Sequence, residues 1–160
     1  MMNRNKLFRI FVILLSAVML FSTFAAFAAG NKNRKNTEAE TAEAMAAAQE
    51  IADYLFEYGE LPDHFIRKKE AQELGWDPKV KHNCVSDVAP GKSIGGDYFG
   101  NYEERLPVVN GRKYYEADCY YFGGDRNEYR IIYSNDGHVW FTGDHYNTFI
   151  ELFPSKEGEE

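Results

Sequence analysis

Cysteine and histidine are scarce in this chain, and each shortage narrows what it can be. Two cysteines, Cys84 and Cys119, admit one disulfide at most, so the fold cannot rest on a disulfide scaffold. Without a histidine cluster beside them they make no zinc site. Four histidines leave few groups able to exchange protons near neutral pH. Positive charge is short as well: 18 Lys and Arg face 25 Asp and Glu, for a net charge of −7. That balance argues against tight, sequence-blind binding to nucleic acid, which needs an excess of cations facing phosphate. A local basic cleft remains compatible, because residues 64–145 carry 11 Lys and Arg against 13 Asp and Glu.

Long apolar runs are absent apart from Ile10 to Phe24. Arg4, Lys6 and Arg9 precede it, and Ala26-Phe27-Ala28 follows with small residues two apart. This is the pattern of a secretory signal peptide over residues 1–28; a membrane anchor, the alternative, needs a longer run. The expectation is a secreted, extracellular protein with no membrane contact after cleavage. Residues 29–37 read as a flexible tether, 38–153 as one domain, and 154–160 as an acidic, solvated tail.

Within the domain the periodicity changes once. Thr37 and Glu40 have capping-box spacing, and the Ala- and Glu-rich run after them favours helix as far as Tyr58. Ile51, Tyr54, Leu55 and Tyr58 supply the apolar positions, and Gly59 stops the helix. A second helix is predicted over Arg67 to Leu74, and the Gly- and Pro-containing stretch Val88 to Asp97 reads as loop. From Leu106 onward aromatic and β-branched residues alternate with turn signals. Asn135-Asp136-Gly137 predicts a hairpin between Arg130–Ser134 and His138–Thr142, and Asp144–Phe149 reads as a final edge strand. Helices first and strands later predict an α+β fold, with N-terminal helices packed on a C-terminal antiparallel sheet.

Alternation along the strands allows Glu116, Arg130 and His145 to share one open face. A carboxylate to take a proton, an imidazole to give one and cations to hold developing charge suit phosphoryl transfer. Taken alone, such a trio is more often the wet face of an antiparallel sheet than a catalytic centre. His64, His82 and His138 fall in loop or turn contexts and compete poorly as catalysts.

Longer runs go further. Leu61-Pro62-Asp63, Glu70-Ala71-Gln72-Glu73-Leu74-Gly75-Trp76, the segment from Asp87 to Asp97, Glu116-Ala117-Asp118 and Asp144-His145-Tyr146 are the relevant ones. Through them the chain, from about Ala52 to Phe153, resembles the secreted bacterial guanyl-preferring ribonucleases of the barnase and binase family. The resemblance implies the microbial ribonuclease fold and cleavage of single-stranded RNA 3′ to guanosine, with no cofactor and no metal. It implies Glu116 as general base, His145 as general acid, Arg126 and Arg130 as phosphate ligands, and Lys68 as a transition-state cation. Asp118 corresponds to the carboxylate that pairs with the arginines, and Tyr146 to the tyrosine beside the histidine. The loop Phe99-Gly100-Asn101-Tyr102-Glu103 corresponds to the base-reading loop, with Glu103 as the guanine ligand and Phe99, Asn101 and Tyr102 as substrate contacts. A monomer and an intracellular barstar-like inhibitor protein are implied as well.

The chain also departs from the family. Tyr102 stands where an arginine is common, Cys119 where the strand is aliphatic, and Cys84 falls in a stretch of altered length. In an oxidising compartment Cys84 and Cys119 are expected to pair; two buried free thiols are the alternative. The functional alternative is a non-catalytic secreted module on the same fold that binds RNA or protein, or a wall-associated adhesion domain independent of these side chains.

Overall fold

The computed structural model describes residues 38–155. The expected signal peptide, the tether, the Thr37 cap and the tail beyond Ser155 lie outside the described residues. The chain divides into two units, residues 1–40 and 41–160. Of the first only Glu38 to Glu40 are described, and they are helical. Among the described residues no helix is long and apolar enough to cross a membrane.

Helix α1 covers residues 38–58. Its buried stripe is Ala44, Ala48, Ala52 and Leu55, spaced by four, four and three; of the expected positions Leu55 is buried and Ile51 packs against the same core, while the three alanines extend the stripe toward the N-terminus. Alanines carry little hydrophobic signal, yet their small size lets the helix axis approach the sheet closely. Cys119 Sγ lies 3.4 Å from the carbonyl of the fully buried Ala44. Tyr58 is exposed instead and packs its ring on Tyr54 at 4.5 Å. Gly59 ends the helix with φ +74°, as expected of a C-terminal glycine.

Strand β1 (Phe65–Ile66), helix α2 (Lys68–Glu73) and helix α3 (Val85–Val88) lead into a sheet completed by β2 (Ser93–Phe99), β3 (Tyr114–Asp118), β4 (Arg130–Ser134), β5 (Val139–Thr142) and β6 (Ile150–Leu152). The six strands lie side by side in chain order; β1 pairs with β2 in parallel and every later pair is antiparallel. The α+β architecture and the 130–142 hairpin are as the sequence predicts. α2 falls inside its predicted span.

Two expectations about elements need correction. Ser93–Phe99 is a strand rather than loop, because its glycines serve a bulge and not a turn. The register with β3 slips between Gly95 and Asp97, and Gly96 takes φ +88° there. Gly95 has its own reason: a Cβ would come within 2.6 Å of the Phe65 ring. β1 and α3 are too short to leave a periodic signal. The second is Asp144–Phe149, which forms no strand and is taken up below.

The sheet has two different faces. One, with Ala117, Cys119, Ile131, Val139 and Phe141, packs on α1. The other carries a smaller apolar cluster of Leu106, Tyr114, Ile132 and Trp140. Beside that cluster this second face buries Glu116, Asp118, Arg130 and Thr142. Burying that many polar groups is costly unless each finds a partner, so their pairing defines the site.

Candidate active site

Glu116 and Asp118 sit two residues apart on β3, so strand alternation places both carboxylates on the same face. Glu116 is nearly buried. The Lys68 ammonium pairs with its Oε1, and Tyr146 donates its hydroxyl to Oε2 at 2.7 Å. Burial works to raise the Glu116 pKa, but Lys68, Tyr146 and the charge of Arg126 outweigh it and hold the carboxyl below its ordinary value. Tyr146 responds in the opposite sense: burial, then the Glu116 charge, push its phenol up to about 12. Lys68 is itself fixed, because its backbone N–H at the start of α2 donates to Asp97 of β2 at 2.9 Å.

Asp118 is 1% exposed and holds two cations at once. Arg126 donates to it with Nε at 2.7 Å and Nη2 at 2.5 Å, a bidentate fork. Arg130 Nε lies 3.2 Å from Asp118 Oδ1, near enough to pair although not aligned for a hydrogen bond. The Arg130 Nη1 group donates instead to Asn127 Oδ1 at 3.1 Å and the Tyr129 carbonyl at 2.6 Å. Asn127 also donates to the carbonyls of Cys119 and Tyr120, which ties the 126–130 loop back onto the end of β3. Burial opposes the charge of Arg126, but its bonds to Asp118 prevail and its pKa is raised.

The expected edge strand at 144–149 is a tight loop. His145 and Tyr146 both adopt left-handed backbone, φ 55° and 68°, which breaks any strand pairing. Asp144 is the cause. Its carboxylate accepts from the N–H groups of Asn147 and Thr148 at 3.1 and 2.8 Å and from the hydroxyls of Thr142 and Thr148 at 3.0 and 2.7 Å. Such a side chain bonded to backbone ahead of it competes directly with the strand ladder. The turn leaves His145 exposed, its ring 5.2 Å from that of Tyr146.

Two hollows meet at this loop. One is lined by Lys68, Glu116, Arg126 and Arg130 together with His145 and Tyr146. The other is lined by Phe99, Tyr102, Glu103 and Arg105, again with His145 and Tyr146. In the second hollow Phe99 is half-buried and stacks on Tyr146 at 5.4 Å. Asn101 uses both ends of its amide on Leu106, accepting from its N–H at 3.0 Å and donating to its carbonyl at 2.9 Å, so it closes the loop rather than facing outward. Tyr102 is 91% exposed and its ring overlies Gly100, where a Cβ would fall 2.1 Å from a ring carbon.

The expected bridge between Cys84 and Cys119 is not formed: both thiols are free. Cys119 points into the α1 face of the core, and burial pushes its pKa up to about 12. Cys84 caps α3 and lies 3.8 Å from Asp125, a different neighbourhood altogether. Among the described residues no group of three or more His, Cys, Asp or Glu is arranged to hold a metal ion.

As the sequence predicts, Glu116 and Arg130 share one face, while His145 reaches the same hollow from a loop; the sequence does not point to the residues that aim these side chains, Asp97, Arg105, Asn127 and Asp144. Only Asp144 had a readable signal, an Asp followed by Asn and Thr at turn spacing.

Known proteins provide an independent comparison. A family profile described as ribonuclease matches residues 48–152. A ribonuclease of Heyndrickxia coagulans is 50% identical over 102 residues, covering 64% of this chain and 92% of the relative. Ribonucleases of Bacillus intermedius and Bacillus pumilus are each 48% identical over 102 residues, spanning 62% of their own length.

Proposed function

The chain belongs to the bacterial ribonuclease family of the barnase and binase type, and from that premise we propose a secreted, monomeric endoribonuclease that cuts single-stranded RNA 3′ to guanosine. The observation that carries the reading is the contrast within one hollow: a carboxylate held ionised by Lys68 and Tyr146 faces the same space as an exposed imidazole.

RNA brings its own nucleophile, the 2′-OH. In the proposed first step Glu116 removes its proton as the oxygen attacks phosphorus. The bond from phosphorus to the 5′-oxygen breaks, and protonated His145 gives that oxygen its proton. A 2′,3′-cyclic phosphate results, with Glu116 protonated and His145 neutral. Water then attacks; His145 takes its proton, Glu116 returns one to the 2′-oxygen, and both groups are reset. Arg126, Arg130 and Lys68 stabilise the charge on the phosphorane oxygens. The base lies in the second hollow, where the Glu103 carboxylate accepts from the N1–H and N2 amino group of guanine, an edge adenine lacks. Tyr102 offers a ring and no cation, so phosphate capture rests on Arg126, Arg130 and Lys68. An inhibitor protein retained in the producing cell completes the proposal, since the same chemistry would destroy that cell's RNA.

The test is cleavage of a defined single-stranded RNA in excess EDTA, with Glu116→Ala and His145→Ala alongside. Cutting after guanosine through a cyclic phosphate, lost in both variants, supports the reading. A folded protein that cuts nothing sinks it in favour of a binding module.

A further inference from the structure

Arg105 joins the two loops of the base hollow. Its Nε donates to Glu103 Oε2 at 2.6 Å, while Nη1 donates to the backbone carbonyl of Asn147 at 2.6 Å. One guanidinium thus holds the carboxylate proposed to read the base and, from another corner, the loop that carries His145. The latter link spans 42 residues of chain. Neither contact serves the core, since the Glu103 and Arg105 side chains are 74% and 42% exposed. A pair this exposed adds little to stability, so its value lies in geometry. The rest of the base loop supports the same view. Asn101 fixes its closure through Leu106, and Asn101 and Glu104 take left-handed backbone at φ 45° and 51°. The Glu103 side chain, on the exposed part of this loop, is held by Arg105.

We propose that Arg105 is a positioning residue for base selection: it presents the Glu103 carboxylate to the nucleobase and couples that presentation to the His145 loop. With Oε2 held by a single N–H, the second oxygen and the remaining lone pair stay open to the two donors of a guanine edge. The planar, divergent donors of arginine are needed, because a lysine ammonium is one point and cannot span both acceptors with fixed angles. This rests on the ribonuclease reading above.

The experiment compares kcat and KM for the dinucleotides GpA and ApA in the wild type, Arg105→Ala, Arg105→Lys, Glu103→Ala and the double variant. Circular dichroism confirms the fold of each. In Arg105→Ala the ratio of kcat/KM for GpA over ApA is expected to fall about tenfold. The rise in KM should be specific to GpA, with a smaller drop in kcat for both substrates from the lost anchor at Asn147. Arg105→Lys should recover little of the ratio, and Arg105→Ala should not lower it further once Glu103 is alanine. An unchanged ratio in folded Arg105→Ala overturns the proposal while leaving the ribonuclease intact. A wild type that cleaves neither dinucleotide fails the ribonuclease reading itself.

Discussion

Lys68 and Glu116, 48 residues apart in the chain, form an ion pair in which the lysine takes one carboxylate oxygen and leaves the other to Tyr146. Helix α2 supplies the cation and β3 the anion, so the pair exists only when the helix has docked on the sheet. It also sets the protonation state of the proposed base. Lys68→Ala leaves only Tyr146 and the charge of Arg126 to oppose burial, so the Glu116 pKa rises from its wild-type position. A base must be ionised to act, so the acid limb of the kcat/KM profile should move to higher pH in this variant. Rates at neutral pH should fall by roughly 10²–10⁴-fold at most, the range for a single acid–base group. An acid limb that stays in place would show that Lys68 does not govern the base.

Asp118 has the largest structural role of the charged groups. It is 1% exposed and pairs with Arg126 and with Arg130, itself 4% exposed. Asp118→Asn removes the charge that balances a buried Arg130 and a partly buried Arg126, and breaking such a pairing costs up to about 3–5 kcal/mol. Urea denaturation should register that loss. Asp125→Asn, a change at an exposed carboxylate, should leave the midpoint within about 0.5 kcal/mol of wild type.

Asp144→Ala removes every bond that holds the 142–148 turn around its carboxylate. Burial opposes its charge, but Thr148, Thr142 and Asn147 outweigh burial and its pKa is lowered, so it stays ionised through neutral pH. With the carboxylate gone, the left-handed backbone of His145 and Tyr146 keeps weaker support from the Tyr146 N–H on Thr142, the Arg105 bond to Asn147 and the Tyr146 hydroxyl on Glu116. Activity should drop by about tenfold or more with little change in melting temperature, as expected when positioning rather than stability is lost. A melting temperature that collapses together with activity would assign Asp144 to the fold instead.

Free thiols predict indifference to reductant. Dithiothreitol should leave the unfolding midpoint unchanged, whereas a bridged pair would lose roughly 2–5 kcal/mol on reduction. In the native protein a thiol reagent should modify Cys84 and spare Cys119, whose buried thiol has a pKa of about 12. Both should react after denaturation.

What could be read from the sequence followed the signals that were strong there. The faces of β3 and β4 were legible because alternation is a property of any strand: Ala117 and Ile131 enter the core while Glu116 and Arg130 turn the other way. The hairpin at 135–137 was legible because Asn, Asp and Gly favour one turn chemistry. The C-terminal part of the helical stripe, Ile51 and Leu55, was legible, but its alanine part was missed because alanine packs tightly while looking nearly neutral. The 144–149 strand was misassigned because aromatic and β-branched residues favour strands, while the bonds that bend the segment depend on the two oxygens of one Asp carboxylate meeting four donors in space. Arg105 and Asn127 carried no signal at all, since their partners are backbone carbonyls and side chains fixed by distant loops.

The strands are laid down in the sheet in the order in which they occur in the chain, and His145 belongs to the turn just before the last of them. During synthesis the lysine, the carboxylates and both arginines therefore leave the ribosome before the imidazole does. On the proposed roles, a nascent chain or a prematurely terminated product is a nuclease without its acid. On those roles, the cell that makes this protein meets a complete active centre only after the chain has been made past His145, which shortens the interval in which export or an inhibitor must act.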